Sequence, residues 1–290
     1  MVLCFAQDDR VDVCHVFPEQ HTSCTHSSVA DTILLMENES MITTIEHEGV
    51  RELRLSRPPA NALSPELIAT LKRAVEDGPR QGIGALVLSG SPGMFSAGLD
   101  VPLLLTLDRT AMAKMWRDFY GLLGTLACSP IPVAAAITGH APAGGAVLAL
   151  FCDWRVMAEG NWKVGLNEVQ VGLTLPPVIF QAFRRQVGSR NASRAVSGAL
   201  FSPAEAEAIG FVEELAPPDF VVARAVEWCK SLLVLPRQAM LSTRTQARSD
   251  LVDIFNRGVE REIAEIVEMW WTPEVQTALR GFAERLGKKK

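Results

Sequence analysis

The 290-residue sequence has no surplus of basic residues: 28 Lys and Arg stand against 33 Asp and Glu, a formal net charge of -5. A protein that grips nucleic acid through its phosphates needs a basic stripe. The one basic run here, Lys288-Lys289-Lys290, reads as a solvated tail, so nucleic acid is not an expected partner. Also missing is any window of about 18 uncharged apolar residues, the least that a membrane-spanning helix requires. The N-terminal stretch MVLCFAQDDRVDVCHVF carries early Asp residues and no continuous apolar segment. That is unlike a secretory signal or an organelle transit peptide, and the cytoplasm is the expected setting. Six cysteines are present, but a chain of this size does not depend on disulfide staples, and a reducing compartment fits them best. Cys4, Cys14 and Cys24 lie near His15, His21 and His26 without the close pairing of a structural zinc site, so no metal is expected. Phosphate-binding signatures are lacking too, both the P-loop and the three-glycine dinucleotide fingerprint.

What is there is apolar residue, 48% of the chain, enough for a sizeable core. Residues 1–40 are polar and aperiodic and read as a poorly ordered extension. From Met41 the segment MITTIEHEGVRELRLSRP predicts a β-hairpin around Glu48-Gly49. Ser64-Pro65-Glu66 is a helix start, and apolar Leu67, Ile68, Leu71, Ala74 and Val75 extend the helix to about 77. Residues 84–90 and 131–137 are short apolar runs of the kind buried on both faces of a parallel sheet. Helices are expected around 109–127 and 144–151, and strands at 154–158 and 162–165. This alternation predicts an α/β fold built of βαβ units. Beyond about 176 the pattern is helical, so the last third is expected to be an all-helical layer. Its apolar stripe Leu251, Ile254, Phe255, Val259, Ile263, Ile266, Val267 and Trp270 reads as core or subunit interface.

Two glycine-containing turns each follow a buried strand and precede a helix: Phe95-Ser-Ala-Gly-Leu-Asp-Val101 and Gly139-His-Ala-Pro-Ala-Gly-Gly145. A helix start leaves backbone N–H groups unpaired, and two such ends converging would form an oxyanion hole. Taken singly, each is an ordinary strand-to-helix turn.

Taken together, the motifs resemble the crotonase (enoyl-CoA hydratase/isomerase) superfamily over residues 42–286. The resemblance rests on Arg57-Pro-Pro-Ala-Asn-Ala-Leu-Ser64, Phe95–Asp100, Ala141-Pro-Ala-Gly-Gly145 with Cys152-Asp153, Gly165-Leu-Asn-Glu-Val-Gln-Val-Gly172 and Ser202–Val212. It implies a ββα spiral core over 41–200 that carries an acyl-coenzyme A site, and a C-terminal helical region over 201–290 that forms homotrimers or dimers of trimers. It places the substrate's adenine near Ala97, Gly98, Leu99, Asp100 and Val101, and the thioester oxygen on the backbone N–H groups of Leu99 and Gly144. Hydratases of the family use two glutamates; here the first position is Val147 and the second Glu168, with Asn167 beside it at a substrate-contact position. One carboxylate suits a proton shuttle between carbons, so the resemblance leans to the Δ3,Δ2-enoyl-CoA isomerases of fatty acid degradation. No cofactor is implied, coenzyme A being part of the substrate. A hydratase or other crotonase-type lyase, or a non-catalytic acyl-CoA-binding protein, is the alternative. His140 reads as a structural histidine, Asp100 as a helix cap, and Cys128 and Cys152 as inert thiols in apolar surroundings. Arg280, Arg285 and the terminal lysines are candidate contacts to coenzyme A phosphates.

Overall fold

Glu48 (φ 51°) and Gly49 (φ 88°) both take left-handed backbone, as a two-residue hairpin turn demands. They join antiparallel β1 (Ile42–His47) and β2 (Val50–Leu55) with Ile42 opposite Leu55. The computed structural model describes residues 41–256 and 259–287, so the expected extension over 1–40, with its cysteine and histidine cluster, lies outside the described residues. After the hairpin comes α1 (Pro65–Arg80), capped by Ser64, whose hydroxyl accepts from the Leu67 N–H at 3.2 Å. It buries Leu67, Ile68, Leu71 and Val75.

Three successive turns of chain then repeat one plan. The first holds β3 (Ala85–Ser89), β4 (Gly93–Met94), α2 (Val101–Leu104) and α3 (Arg109–Ala127). The second is β5 (Val133–Ile137), β6 (Gly139–Pro142) and α4 (Gly144–Leu150); the third is β7 (Trp154–Ala158), β8 (Val164–Gly165), a 3-10 turn at Glu168–Val171 and α5 (Pro177–Ala192). Each turn gives its first strand to a large sheet and its second to a small one. After α6 (Pro203–Ala208) the chain adds β9 (Glu214–Ala216) and then α7 (Val221–Leu233), α8 (Arg237–Ala247), α9 (Ser249–Phe255), α10 (Val259–Trp270) and α11 (Pro273–Gly287). The sheets run β1-β2-β3-β5-β7-β9 and β4-β6-β8, parallel except for the β1–β2 pair. This is a ββα spiral, as the resemblance implies.

The runs Ala85–Ser89 and Val133–Ile137 are buried along their whole length, because the large sheet is covered on both faces. One face packs on a core shared with α1 and α3. Val87, Ala134, Ala136 and Val156 on the other face meet Val221, Ala225 and Cys229 of α7.

The last third is not all-helical, which corrects the expectation from sequence. Strand β9 pairs in parallel with β7, Val156 opposite Glu214, and so extends the large sheet from beyond residue 200. Three residues cannot display a period, and their pairing depends on a strand edge more than fifty residues upstream. The apolar stripe over 244–271 is likewise cut into α8, α9 and α10, although Leu251, Ile254, Ile263, Ile266, Val267 and Trp270 are all buried. Arg248, between α8 and α9, turns its guanidinium inward to Asp153 Oδ1 (2.9 Å) and the Phe151 carbonyl (2.8 Å). Asp153 also accepts from Arg244 and from the Val133 N–H, so it anchors α8 and α9 to the start of β5.

A second tie holds three helices at one oxygen. Glu262 Oε1 on α10 accepts from the Tyr120 hydroxyl of α3 at 2.7 Å and from the Val178 N–H in the first turn of α5 at 3.0 Å. The N-cap of α5 is Pro176, which offers no side-chain acceptor, so Glu262 caps that helix from outside. Replacing Glu262 with Ala strands two donors and should lower stability by about 2–3 kcal/mol. Glu262→Gln keeps an acceptor oxygen and should recover most of it. Urea unfolding of the two variants checks this; equal losses would show that packing, not hydrogen bonding, makes the tie. Among the described residues no helix is long and apolar enough to cross a membrane.

Candidate active site

The first glycine turn is held by the segment that precedes α1. Ala97 donates its N–H to Ala60 O (2.9 Å), Leu63 to Gly98 O (2.8 Å) and Asp100 to Leu63 O (3.1 Å). Asn61, buried and itself at φ 49°, donates from Nδ2 to the carbonyls of Met94 (3.2 Å) and Phe95 (3.1 Å), and its own carbonyl accepts from the Ser96 hydroxyl at 2.8 Å. Asn tolerates that left-handed backbone better than most residues. The sequence motif Arg57–Ser64 had pointed to this segment without giving Asn61 a role; an Asn between two alanines in a motif beside a turn was the available signal.

The second turn passes through Ala143 at φ 48°, ψ −123°, a conformation unusual for any residue with a Cβ. It is pinned by the Ala143 N–H to Gly165 O bond of 2.8 Å. The two turns meet through glycine. A Cβ on Gly98 (φ 86°) would stand 2.9 Å from Gly144 N, and one on Gly144 would stand 3.1 Å from Gly98 Cα and 3.3 Å from Leu99 N. A Cβ on Gly145 would collide with the Ser96 carbonyl. The amides of Leu99 and Gly144 are thereby neighbours, and neither N–H has a backbone acceptor among the described residues.

Both turns open onto a cavity of about 300 Å³. Ala97, Leu99 and Val101 form part of its wall, with Ala143, Gly144 and Val147 beyond them and Asn167 and Glu168 beside them. Trp116 and Phe119 of α3, Ile266, Met269 and Trp270 of α10, and Phe282 and Leu286 of α11 complete an almost wholly apolar enclosure. Glu168 is the single ionisable side chain in that wall among the described residues. Its Oε2 is shut off from solvent without a hydrogen-bond partner, and so is Asn167 Oδ1. Burial raises the Glu168 carboxyl from its ordinary 4.5 to about 7, its own backbone N–H pulling slightly the other way.

That value carries a prediction. If Glu168 takes a proton from substrate it must be ionised first, so kcat/KM should fall about tenfold per pH unit below ~7 and level off above. A pH profile measured between about 5 and 8 checks this, and a flat one would remove Glu168 as the base.

Not every expected contact reaches the cavity. Gly98 and Asp100 do not line this cavity, Gly98 being packed on Gly144. Asp100 caps α2, accepting from the Leu103 N–H at 3.2 Å, and pairs with Arg57 at 2.7 Å. His140 is structural: Nδ1 accepts from the Lys163 N–H at 3.1 Å and the ring stands edge-on to Trp162. Cys152 is buried, its thiol pushed up to about 12, whereas Cys128 is exposed at the end of α3, where the helix stops short of covering it. Arg280 and Arg285 lie exposed on α11; the terminal lysines fall outside the described residues.

A family model described as enoyl-CoA hydratase/isomerase matches residues 45–289. The mouse protein named mitochondrial enoyl-CoA delta isomerase 1 is 32% identical over 254 residues, 86% of this chain and 88% of the relative. A probable enoyl-CoA hydratase of Mycobacterium avium is 35% identical over 201 residues, 68% of this chain and 77% of its own. Among solved structures, that of human mitochondrial delta3-delta2-enoyl-CoA isomerase superposes with a TM-score of 0.82 at 28% identity, covering 86% of this chain and 99% of the other.

Proposed function

The chain belongs to the enoyl-CoA hydratase/isomerase family, and from that premise we propose that it is an enoyl-CoA isomerase of fatty acid degradation, converting 3-enoyl-CoA to trans-2-enoyl-CoA. One observation carries the reading: among the described residues, a cavity with a single carboxyl, Glu168, whose Oε2 has no partner, beside two backbone N–H groups without backbone acceptors. Glu168 removes a proton from C2 of the bound thioester, and the electron pair moves onto the thioester oxygen. The N–H groups of Leu99 and Gly144 hold that enolate oxygen, donors of this kind contributing about 3–4 kcal/mol apiece. Collapse of the enolate takes the same proton back from Glu168 at C4 and leaves the double bond conjugated. Asn167 and the stretch Ala97–Val101 would contact the acyl-CoA. The chemistry calls for no metal or redox cofactor.

Adding water would require a second group to hold and activate it. Val147 stands where the family resemblance puts that acid, and it is buried in the cavity wall, which supports isomerisation over hydration. Purified protein given a 3-enoyl-CoA should form the conjugated 2-enoyl thioester, followed by ultraviolet absorbance. Solvent oxygen appearing in a 3-hydroxyacyl-CoA product would reassign the enzyme to hydration, and binding without any product would leave an acyl-CoA-binding protein.

Assembly as a homotrimer or dimer of trimers is part of the same proposal. Helix α8 has no fully buried residue within the single chain, and Val234 and Leu235 are exposed at a groove of about 540 Å³ lined by Trp228, Leu232 and Met240. Light scattering that returns a monomer would remove this part. A cytoplasmic setting is part of the proposal, whereas the mouse relative is named mitochondrial; cell fractionation decides between them.

A further inference from the structure

The chamber that holds Glu168 has an open end and a blind one. Thr174 and Leu286 in its wall are exposed, whereas Trp116 and Phe119 of α3, Ile179 of α5, and Ile266 and Trp270 of α10 are buried. Leu99, Gly144 and Glu168 belong to none of these three helices. Coenzyme A is too charged for so apolar a space and stays at the mouth, so the blind end receives the tail of the acyl chain.

The oxygen that ties the three helices together sits at that end. Glu262 stands one helical turn before Ile266, Tyr120 one turn after Trp116, and Val178 directly before Ile179. A second cavity, of about 200 Å³, adjoins the same junction and is lined by Val178, Ile254, Val259 and Glu262. Ile179 and Ile266 thus border the chamber, while Val178 and Glu262 border the other space, and the packed side chains of α5 and α10 stand between the two. We propose that Glu262 is the end-stop of the acyl chamber, a positioning residue that holds α3, α5 and α10 as a partition and so limits the length of acyl chain accepted. The proposal rests on the acyl-CoA reading of the site. A close-packed partition does not stretch to admit further carbons. With the carboxyl removed, Ile266 gains room on the side of the second cavity, and the chamber lengthens into it.

The test is a series of 3-enoyl-CoA esters that lengthen by two carbons at a time, assayed on the parent, Glu262→Ala, Glu262→Gln and Tyr120→Phe. In the parent, kcat/KM should fall by roughly tenfold or more at the first ester too long for the chamber, since a misfitted methylene costs about that much. Glu262→Ala should move this fall to a longer ester, chiefly through KM. Glu262→Gln keeps an acceptor oxygen and should leave the fall where the parent has it. Tyr120→Phe withdraws one donor, keeps the ring, and should move the fall in the same direction as Glu262→Ala. A merely structural role would lower every ester alike and shift no cut-off. A parent without a cut-off would overturn the proposal, as would an unchanged cut-off in Glu262→Ala, or in Tyr120→Phe where Glu262→Ala does not fold. Saturated acyl-CoA esters of the same lengths, titrated onto each protein, read the cut-off without turnover. If they bind with a cut-off that moves as expected while no 3-enoyl ester is converted, the isomerase reading fails and this one stands. Conversion at every length alike keeps the isomerase and removes the end-stop.

Discussion

Glu168→Gln is expected to lower isomerisation by about 10²- to 10⁴-fold while acyl-CoA affinity stays close to that of the parent. The substitution preserves volume and removes the ability to accept a proton near neutral pH. Nothing else in the cavity wall takes over, since among the described residues no other ionisable side chain lines it. The same change should alter stability in a pH-dependent way. The folded carboxyl titrates at about 7 and the unfolded one near its ordinary 4.5, so between these values the folded state holds the proton more tightly. The stability this confers is complete below the unfolded value and is lost as pH rises through 7, beyond which the buried carboxylate costs about 3 kcal/mol. Glu168→Gln should therefore be more stable than the parent in alkaline buffer and no more stable in acid. Steady-state kinetics, acyl-CoA titration and urea unfolding on either side of neutrality test the set. A variant with full activity would sink the proton shuttle.

Gly98→Ala should be nearly as damaging although it removes no functional group. Its methyl would stand 2.9 Å from Gly144 N, 3.0 Å from Ala143 Cβ and 3.2 Å from Pro142 O, on a backbone at φ 86° that a side chain rarely adopts. The two turns must part, and the amides of Leu99 and Gly144 part with them. Loss of one aligned donor costs about 10²–10³ in kcat at oxyanion sites, to which the backbone adds ~1–3 kcal/mol of strain. Gly82→Ala is the control: Gly82 has φ 81°, a comparable strain, with open space where the methyl would go. It should lose stability and keep its rate. If Gly98→Ala lost only stability as well, the approach of the two turns would have no part in catalysis.

Much of this architecture can be read without coordinates where the deciding interactions are local. Glu48-Gly49 announces its turn, Ser64-Pro65-Glu66 its helix, and the apolar runs Ala85–Ser89 and Val133–Ile137 their burial in a two-faced sheet. The motif order also sufficed to send Leu99, Gly144, Val147, Asn167 and Glu168 to one place, and they line one cavity. Interactions made at a distance were not legible. Strand β9 exists because β7 offers an edge to it, and Glu262 is an unremarked acid on a helix until Tyr120 and Val178 arrive from two other segments. Asp100 reads as a helix cap and caps α2, but its ion pair with Arg57 is not disclosed by the motif. The exposure of Cys128 follows from where α3 stops, which its apolar neighbours do not disclose.

The wall completed by Phe282 and Leu286 of α11 sets a timetable for biosynthesis. Ala97 leaves the ribosome roughly 190 residues before Leu286 does, an interval of about 10–40 s at ordinary elongation rates. Throughout it the greasy trough between α3 and the glycine turns has no roof, and a nascent chain stalled before α11 would offer that trough to chaperones or to other unfinished copies. Truncations that stop short of α11 should accordingly be recovered as aggregates, not as a trimmed enzyme with a wider mouth.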